Sequence, residues 1–314
     1  MNGSRFTQIC SQLARLRDPF RADLHLHTNF SDGTHTPADL IARASAAKLG
    51  AIAVTDHDTT AAVAPLRSLG RMPTVIAGVE VDWNRSGFSS PQNPAMPEVI
   101  AGVEITCVWH GREIHLLGYF IDPTSEPLQT RLRWVRDGRR ERAIEMGRRL
   151  PALKASVEER VALLSPDVSL GRRHIARWLI EEKAAGSLHD AFTRLLNQPE
   201  MKEIPKQRLP LEEAIQLVRQ AGGVSSFAHP PEETTRETLA EMQSLGLDAV
   251  EGEYPWPSKA RGKRLREWAA ELGLLVTGGS DSHDPAPATR NVGSRAIGRP
   301  ELDKLRALAN ERRG

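Results

Sequence analysis

The sequence predicts an α/β protein whose polar chemistry is gathered at the C-terminal ends of its strands. Short apolar runs alternate with amphipathic helical stretches over 21–57 and again over 211–283. Four of those runs, 23–27, 51–57, 224–229 and 274–283, terminate in His or in Asp/His pairs. Between the two blocks, residues 125–200 turn to helical periodicity throughout. Strand C-termini are where α/β barrels keep their active sites.

Length and composition set the outer bounds. A chain of 314 residues can bury one barrel-like domain or two ordinary ones. Apolar content of 39 %, charged content of 26 % and a net charge of +2 describe an ordinary globular protein and argue against coating nucleic acid with the whole molecule. Cys10 and Cys107 offer neither a disulfide framework nor zinc-knuckle spacing, which fits a reducing cytoplasm. No apolar run approaches the roughly 20 residues that cross a bilayer, and the start of the chain lacks a secretory pattern. Residues 1–20 read as an amphipathic lead-in packed on the outside of the fold.

In chain order, the first strand contains Asp23-Leu24-His25-Leu26-His27 and breaks at Ser31-Asp32-Gly33. Residues i and i+2 of a strand share a face, so His25 and His27 present two imidazoles to one spot, and Asp32 follows in a loop that can fold back. Thr36-Pro37-Ala38-Asp39 starts a helix that Gly50 closes. The run 51–55 is a buried strand ending in Asp56-His57-Asp58, where Asp58 is either a site residue or a helix cap. Met72–Glu80 then recurs as Met96–Glu104 with one difference, Thr74 against Glu98. Only the second copy continues into a hairpin, with Ile105–Trp109, a turn at His110-Gly111-Arg112, and Ile114–Gly118 returning. That hairpin brings Glu104 near His115, so Glu104 rather than Glu80 is the expected site residue.

Trp134, Ile144, Leu150, Val161, Leu164, Ile175, Leu179, Phe192 and Leu195 mark the expected core of the helical stretch. From Arg131 to Arg177 there are 13 Lys/Arg against 6 Asp/Glu, an excess of seven positive charges. Such a run is either a solvated helix face or a wall that favours an anionic substrate. Alternation returns with a helix at 211–221, a strand at 224–228 ending in His229-Pro230, a helix at 238–245 and a strand at 247–251. A helix at 259–272 and a strand at 274–277 follow, ending in Gly278-Gly279-Ser280-Asp281-Ser282-His283.

Six of the ten histidines thus stand at strand ends or in the hairpin. With Asp32, Glu104 and Asp281 they exceed what one tetrahedral ion needs, which implies two or three ions. Mixed imidazole and carboxylate donors suit Mn, Zn or Fe rather than Mg or Ca. An acidified water bridging such ions can attack phosphorus in line, so hydrolysis of a phosphate ester is the reaction expected.

His25-x-His27, Thr55-Asp56-His57-Asp58, Gly102-Val103-Glu104 with His115 eleven residues on, Phe227-Ala228-His229-Pro230 and Gly278-Gly279-Ser280-Asp281-x-His283 together resemble the PHP (polymerase and histidinol phosphatase) family over about 21–295. Gly171-Arg172-Arg173-His174 further resembles the branch that hydrolyses 3',5'-nucleoside bisphosphates and trims short RNAs from the 5' end. The resemblance implies a distorted (β/α)7 barrel over 21–124 and 206–314, a helical insertion over 125–205 capping the substrate, and a trinuclear site. Carried onto matching positions, His25, His27, Glu104 and Asp281 hold one ion. Glu104, His115 and His229 hold a second, and Asp32, His57 and His283 a third, with Asp281, His283 and His57 nearest the bridging water. Mn is the expected metal. Arg172, His174 and Arg142 are the candidates to grip a small anionic substrate, a nucleotide or short RNA, although Gly171–His174 is equally a charged helix start. No obligate protein partner is evident.

Two other readings stand beside this one: a small-metabolite phosphatase acting on a compound such as histidinol phosphate, and a non-catalytic or proofreading module. The basic stretch disfavours the first, and the intact ligand set with no polymerase-sized region disfavours the second. His35 reads as a loop residue with a contact at the site rim, His110 as an exposed turn residue and His189 as helix surface. Trp256 either lines the pocket or covers the barrel.

Overall fold

The computed structural model describes residues 19–70, 74–76, 79–81, 96–285 and 290–314, the side chains of 70–81 excepted. The expected lead-in lies outside them except for residues 19 and 20. The strands are β1 (Ala22–Leu26), β2 (Ala51–Val54), β3 (Thr74–Ile76), β4 (Val79–Val81), β5 (Glu98–Trp109), β6 (Arg112–Tyr119), β7 (Leu209–Pro210), β8 (Val224–Phe227), β9 (Ala249–Glu253) and β10 (Leu275–Gly278). One sheet follows the order β1-β2-β5-β6-β8-β9-β10, with β7 beside β5, while β3 and β4 pair only with each other.

The pairs β1/β2, β2/β5, β8/β9 and β9/β10 are parallel, and β6 is antiparallel to both β5 and β8. The edges meet where the His27 N–H donates to the Ser282 carbonyl at 3.0 Å and Ala22 and Ile297 exchange two bonds of 2.9 Å. The result is a seven-stranded barrel in which β6 runs against the other six. Its reversal comes from the two-residue turn at His110 (φ 47°) and Gly111 (φ 72°). Two left-handed residues match the twist of a tight hairpin, and so short a link cannot make a parallel crossover.

Helices wrap the barrel between its strands. Pro37–Ala46 starts at Thr36 with a capping box to Asp39, and Lys259–Leu272 stops at the left-handed Gly273. Strand side chains are buried on both faces, as parallel barrel strands require: all five residues of β1 and all four of β2 are buried. Leu26, Ile52, Leu116 and Ile105 are fully buried in one cluster, and truncating any one to Ala costs about 2–5 kcal/mol.

The Glu126–Arg149 helix belongs to two cores. Leu128, Leu132 and Val135 pack into the barrel cluster. Ala143 and Met146, further along, join Leu153, Val157, Ile175, Leu179 and Leu196 in a second cluster over 143–204. Leu150, Val161, Ile175 and Leu179 are buried as expected, and Ile144, Leu164, Phe192 and Leu195 pack half-buried against them. Trp134 departs from expectation at 38 % exposed. The buried stripe follows Leu128, Leu132 and Val135, and Trp134 lies two residues, about 200°, around the helix from Leu132.

Candidate metal centre

The period of β1 places His25 and His27 side by side, both fully buried. His25 Nε2 lies 3.3 Å from Glu104 Oε2 and 3.6 Å from Asp281 Oδ1; for His27 Nε2 the distances are 3.2 and 3.3 Å. The other Glu104 oxygen, Oε1, is 2.8 Å from His115 Nδ1 and 3.0 Å from His229 Nε2. Asp32 Oδ1 stands 3.1 Å from His283 Nε2 and 3.8 Å from His57 Nε2. The nine residues singled out in the sequence therefore form one cluster around Glu104, whose two oxygens face different sets.

The donor groups overlap more than in the expected partition: His229 also groups with His25 and Glu104, and His27 with Asp32, His57 and His283. His57 Nδ1 is 3.0 Å from Glu104 Oε2, so this imidazole spans two sets: one with Glu104 and His115, the other with His27, Asp32 and His283. The Glu80 side chain lies outside the described residues. Glu104 earns its place on its own contacts.

The donors fit metal ions. His25 Nε2, His27 Nε2, His57 Nδ1, Asp32 Oδ1 and Glu104 Oε2 are buried and have no hydrogen-bond partner. Leaving such an atom unsatisfied costs about 1–3 kcal/mol each, so five converging orphans call for a cation. Electrostatics agree. Burial would raise the Glu104 pKa, yet His57, His115 and His25 hold it well below the usual range. Burial pushes His57 down to about 4, while the nearby Asp281 and Glu104 carboxylates outweigh burial and lift His27 to about 9.

Several supporting residues escaped the sequence reading. Glu251, fully buried, lies 3.1 Å from His25 Nδ1 through Oε1 and accepts the His229 N–H at 2.6 Å through Oε2. This directs His25 Nε2 at the centre, the role a carboxylate plays behind a metal-binding histidine. An acidic residue ending an apolar strand, Val250-Glu251, was the available signal. Asp56 accepts from the Thr28 N–H (2.7 Å), the Thr28 hydroxyl (2.6 Å) and the Ser31 hydroxyl (2.5 Å), folding the Asp32 loop back. Asp58 is not a helix cap, because the next helix begins at Val63. Its buried carboxylate takes the Thr106 N–H (2.8 Å) and Arg139 Nε (2.7 Å). Gly279 is required: a Cβ there would stand 2.3 Å from the His25 nitrogen. Asp58, His229 and Asp281 all have left-handed backbones, a strain that only surroundings fixed for another purpose sustain.

A cavity of ≈ 250 Å³ adjoins the cluster, lined by Asp32, His57 and His115 on the barrel side and by Arg139, Arg142 and Arg172 on the helical side. Arg172 also bonds Asn197 Oδ1 at 3.0 Å. Arg142 gives Nε to the Ile204 carbonyl (3.2 Å) and Nη2 to that of Met201 (3.4 Å). His174 is not among the cavity-lining residues; its Nδ1 accepts the Gly171 N–H at 3.1 Å at the start of the Arg172–Glu181 helix, and burial lowers its pKa to about 4. Lys206 lines the cavity and was missed; its Nζ is 2.5 Å from Glu113 Oε1, and burial lowers it to about 8. His35 is buried with Nε2 3.2 Å from Ser282 Oγ rather than loosely at the rim, whereas His110 and His189 are exposed as expected.

Such a barrel mouth defines a class, the metal-dependent phosphoesterases, hydrolases acting on phosphoester bonds. Residues 23–164 match the PHP domain model. The chain is 32 % identical to the 5'-3' exoribonuclease Rnm of Escherichia coli, over 84 % of this chain and 86 % of that protein. It is 28 % identical to the 3',5'-nucleoside bisphosphate phosphatase of Chromobacterium violaceum, over 86 % and 90 %. A Bifidobacterium adolescentis structure, assigned as a metal-dependent phosphoesterase, superposes with a TM-score of 0.76 at 28 % identity, covering 91 % of this chain and 96 % of that one. The chain belongs to the PHP-domain family. No helix among the described residues is long and apolar enough to cross a membrane.

Proposed function

We propose that this chain removes the phosphoryl group on the 3' oxygen of a 5'-phosphorylated nucleotide, acting on 3',5'-nucleoside bisphosphates and on the 5' ends of short RNAs. The observation that carries the reading is the cavity beside the histidine cluster, where Arg172, Arg142 and Lys206 surround space open to Asp32, His57 and His115. A terminal phosphate held by those cations leaves the next phosphate over the cluster. The names of the relatives support the same chemistry.

His25, His27, Asp32, His57, Glu104, His115, His229, Asp281 and His283 would hold two or three divalent ions, Mn by preference with Zn or Fe as alternatives. When bound, they supply Lewis-acid neutralisation of phosphoryl charge and acidify the attacking water. The water oxygen adds to phosphorus, and the 3' oxygen leaves and takes up a proton. The chain itself orients: Glu251 fixes His25, Asp56 fixes the Asp32 loop, and Arg290 Nη2 donates to Asp281 Oδ2 at 2.7 Å. Two cysteines without a framework fit a reducing cytoplasm.

The test compares kcat/KM for adenosine 3',5'-bisphosphate with that for adenosine 3'-monophosphate. One charge-assisted contact is worth roughly ten- to a hundredfold, and Arg172→Ala should erase most of that preference. Salt should weaken the bisphosphate reaction more than the monophosphate one. Equal values for both substrates would remove the nucleotide reading and leave a small-metabolite phosphatase.

A further inference from the structure

Beyond His229 stands an aromatic residue outside the cavity lining. Ring centroids step from His57 to His115 (5.1 Å), to His229 (5.2 Å), and on to Trp256 (6.0 Å), which is 56 % exposed and no part of the cavity lining. Exposed aromatic residues scattered over a surface need no explanation. Among the described residues, Trp256 differs from the other exposed tryptophan, Trp134, in what surrounds it.

Its loop is stiff. Pro255 and Pro257 flank it, Tyr254 is buried with its hydroxyl donating to the Pro230 carbonyl at 2.6 Å, and Ser258 caps the following helix. The Arg290 guanidinium lies 4.6 Å from the Trp256 ring centroid, and the same side chain bonds Asp281 and approaches His283 Nδ1 at 3.2 Å. A solvent-open indole is thus joined through one arginine to two residues of the metal centre.

Resting on the reading above, we propose that Trp256, with Arg290 against it, is the specificity-determining platform on which the nucleobase after the scissile phosphate of a single-stranded RNA stacks. On the reading above the cation-lined cavity takes the 5'-terminal nucleotide, and Trp256, exposed and outside that lining, is where the chain would continue. An aromatic ring already held in place stacks any base with little ordering entropy, which suits a sequence-tolerant enzyme. A 3',5'-bisphosphate mononucleotide has no following base and cannot use the contact.

The experiment measures kcat/KM of the manganese-loaded enzyme for a 5'-phosphorylated adenosine trinucleotide relative to adenosine 3',5'-bisphosphate. Trp256→Ala should lower that ratio roughly five- to a hundredfold, the range of one base–aromatic stack, mainly through KM, and Trp256→Phe should restore most of it. Replacing the second base of the trinucleotide by an abasic site should lower the wild-type ratio equally, and Trp256→Ala should add nothing further. Anisotropy of a fluorescein-labelled trinucleotide on metal-free protein should show the same order of affinities. An unchanged ratio in Trp256→Ala, or losses from the abasic site and the substitution that multiply, would overturn the platform. Wild-type enzyme that hydrolyses neither nucleotide would overturn the functional reading and the platform with it, a result distinct from active enzyme indifferent to Trp256.

Discussion

The barrel mouth and the helical region proposed to cap the substrate are both dense in charge, yet they handle it in opposite ways. At the mouth, buried nitrogen and oxygen atoms of His25, His27, His57, Asp32 and Glu104 converge without hydrogen-bond partners. In the cap, most arginines already have protein partners. Arg131 meets Glu213 at 2.6 Å, Arg140 bonds the carbonyls of Val161, Leu164 and Ser165, and Arg160 reaches Glu181 and Glu182. Arg173 pairs with Asp284, and Arg177 donates to the Asp32 carbonyl at 2.8 Å. The seven-charge excess is therefore neither a bare solvated face nor a uniform wall for anions. Arginine is used there as a staple, because one planar fork can satisfy several carbonyls where loops leave them unpaired. What sets the mouth apart is that its unpartnered buried atoms converge on one place, whereas those of the other region, such as Arg140 Nε and Arg160 Nε, are scattered on side chains otherwise paired.

The sharpest way to break this contrast is at Glu104, whose two oxygens face different donor sets and which is proposed to bridge the ions. Glu104→Gln should lower kcat by roughly a hundredfold or more and reduce the transition metal retained, by elemental analysis, from at least two ions per chain. Glu80→Gln should retain both activity and metal. If the two variants exchange behaviour, Glu104 is not the bridge and the register assigned to the duplication fails.

Next in size is the joint between the regions. Arg139, 8 % exposed, bonds Asp58, Thr106 and the Leu170 carbonyl, tying the long helix to β5 and to the loop before Arg172. Arg139→Ala strands a buried carboxylate and should destabilise the fold by about 3–5 kcal/mol in urea unfolding. A loss below 1 kcal/mol would mean that the cap holds itself in place.

Behind the ligands, Glu251→Gln should weaken metal binding by roughly ten- to a hundredfold, read by competition with a chromophoric chelator. Wild-type affinity in this variant would show that His25 needs no orienting partner. The smallest effect belongs to the exposed cap. Arg148 and Glu158 pair at 2.7 Å with both side chains more than half exposed, and Arg148→Ala should cost less than about 1 kcal/mol. A larger loss would place cap staples on a par with the buried joint.

Local pattern alone determined much of this protein. The alternation of β1 puts two histidines on one face, the turn at His110-Gly111 makes the hairpin that returns His115 toward Glu104, and strand ends at 57, 229 and 281–283 collect four more residues of the cluster. Period and turn chemistry act over a few residues, so a sequence displays them directly. Tertiary structure decided the rest. Glu251 meets His25 across 226 residues and Arg139 meets Asp58 across 81. Trp134 turned outward, His35 inward, and most cap arginines turned to carboxylates and carbonyls of the protein itself. Whether a polar group is buried, and with what partner, depends on elements that meet only when the chain closes. Desolvation and pairing are properties of that meeting rather than of the residue.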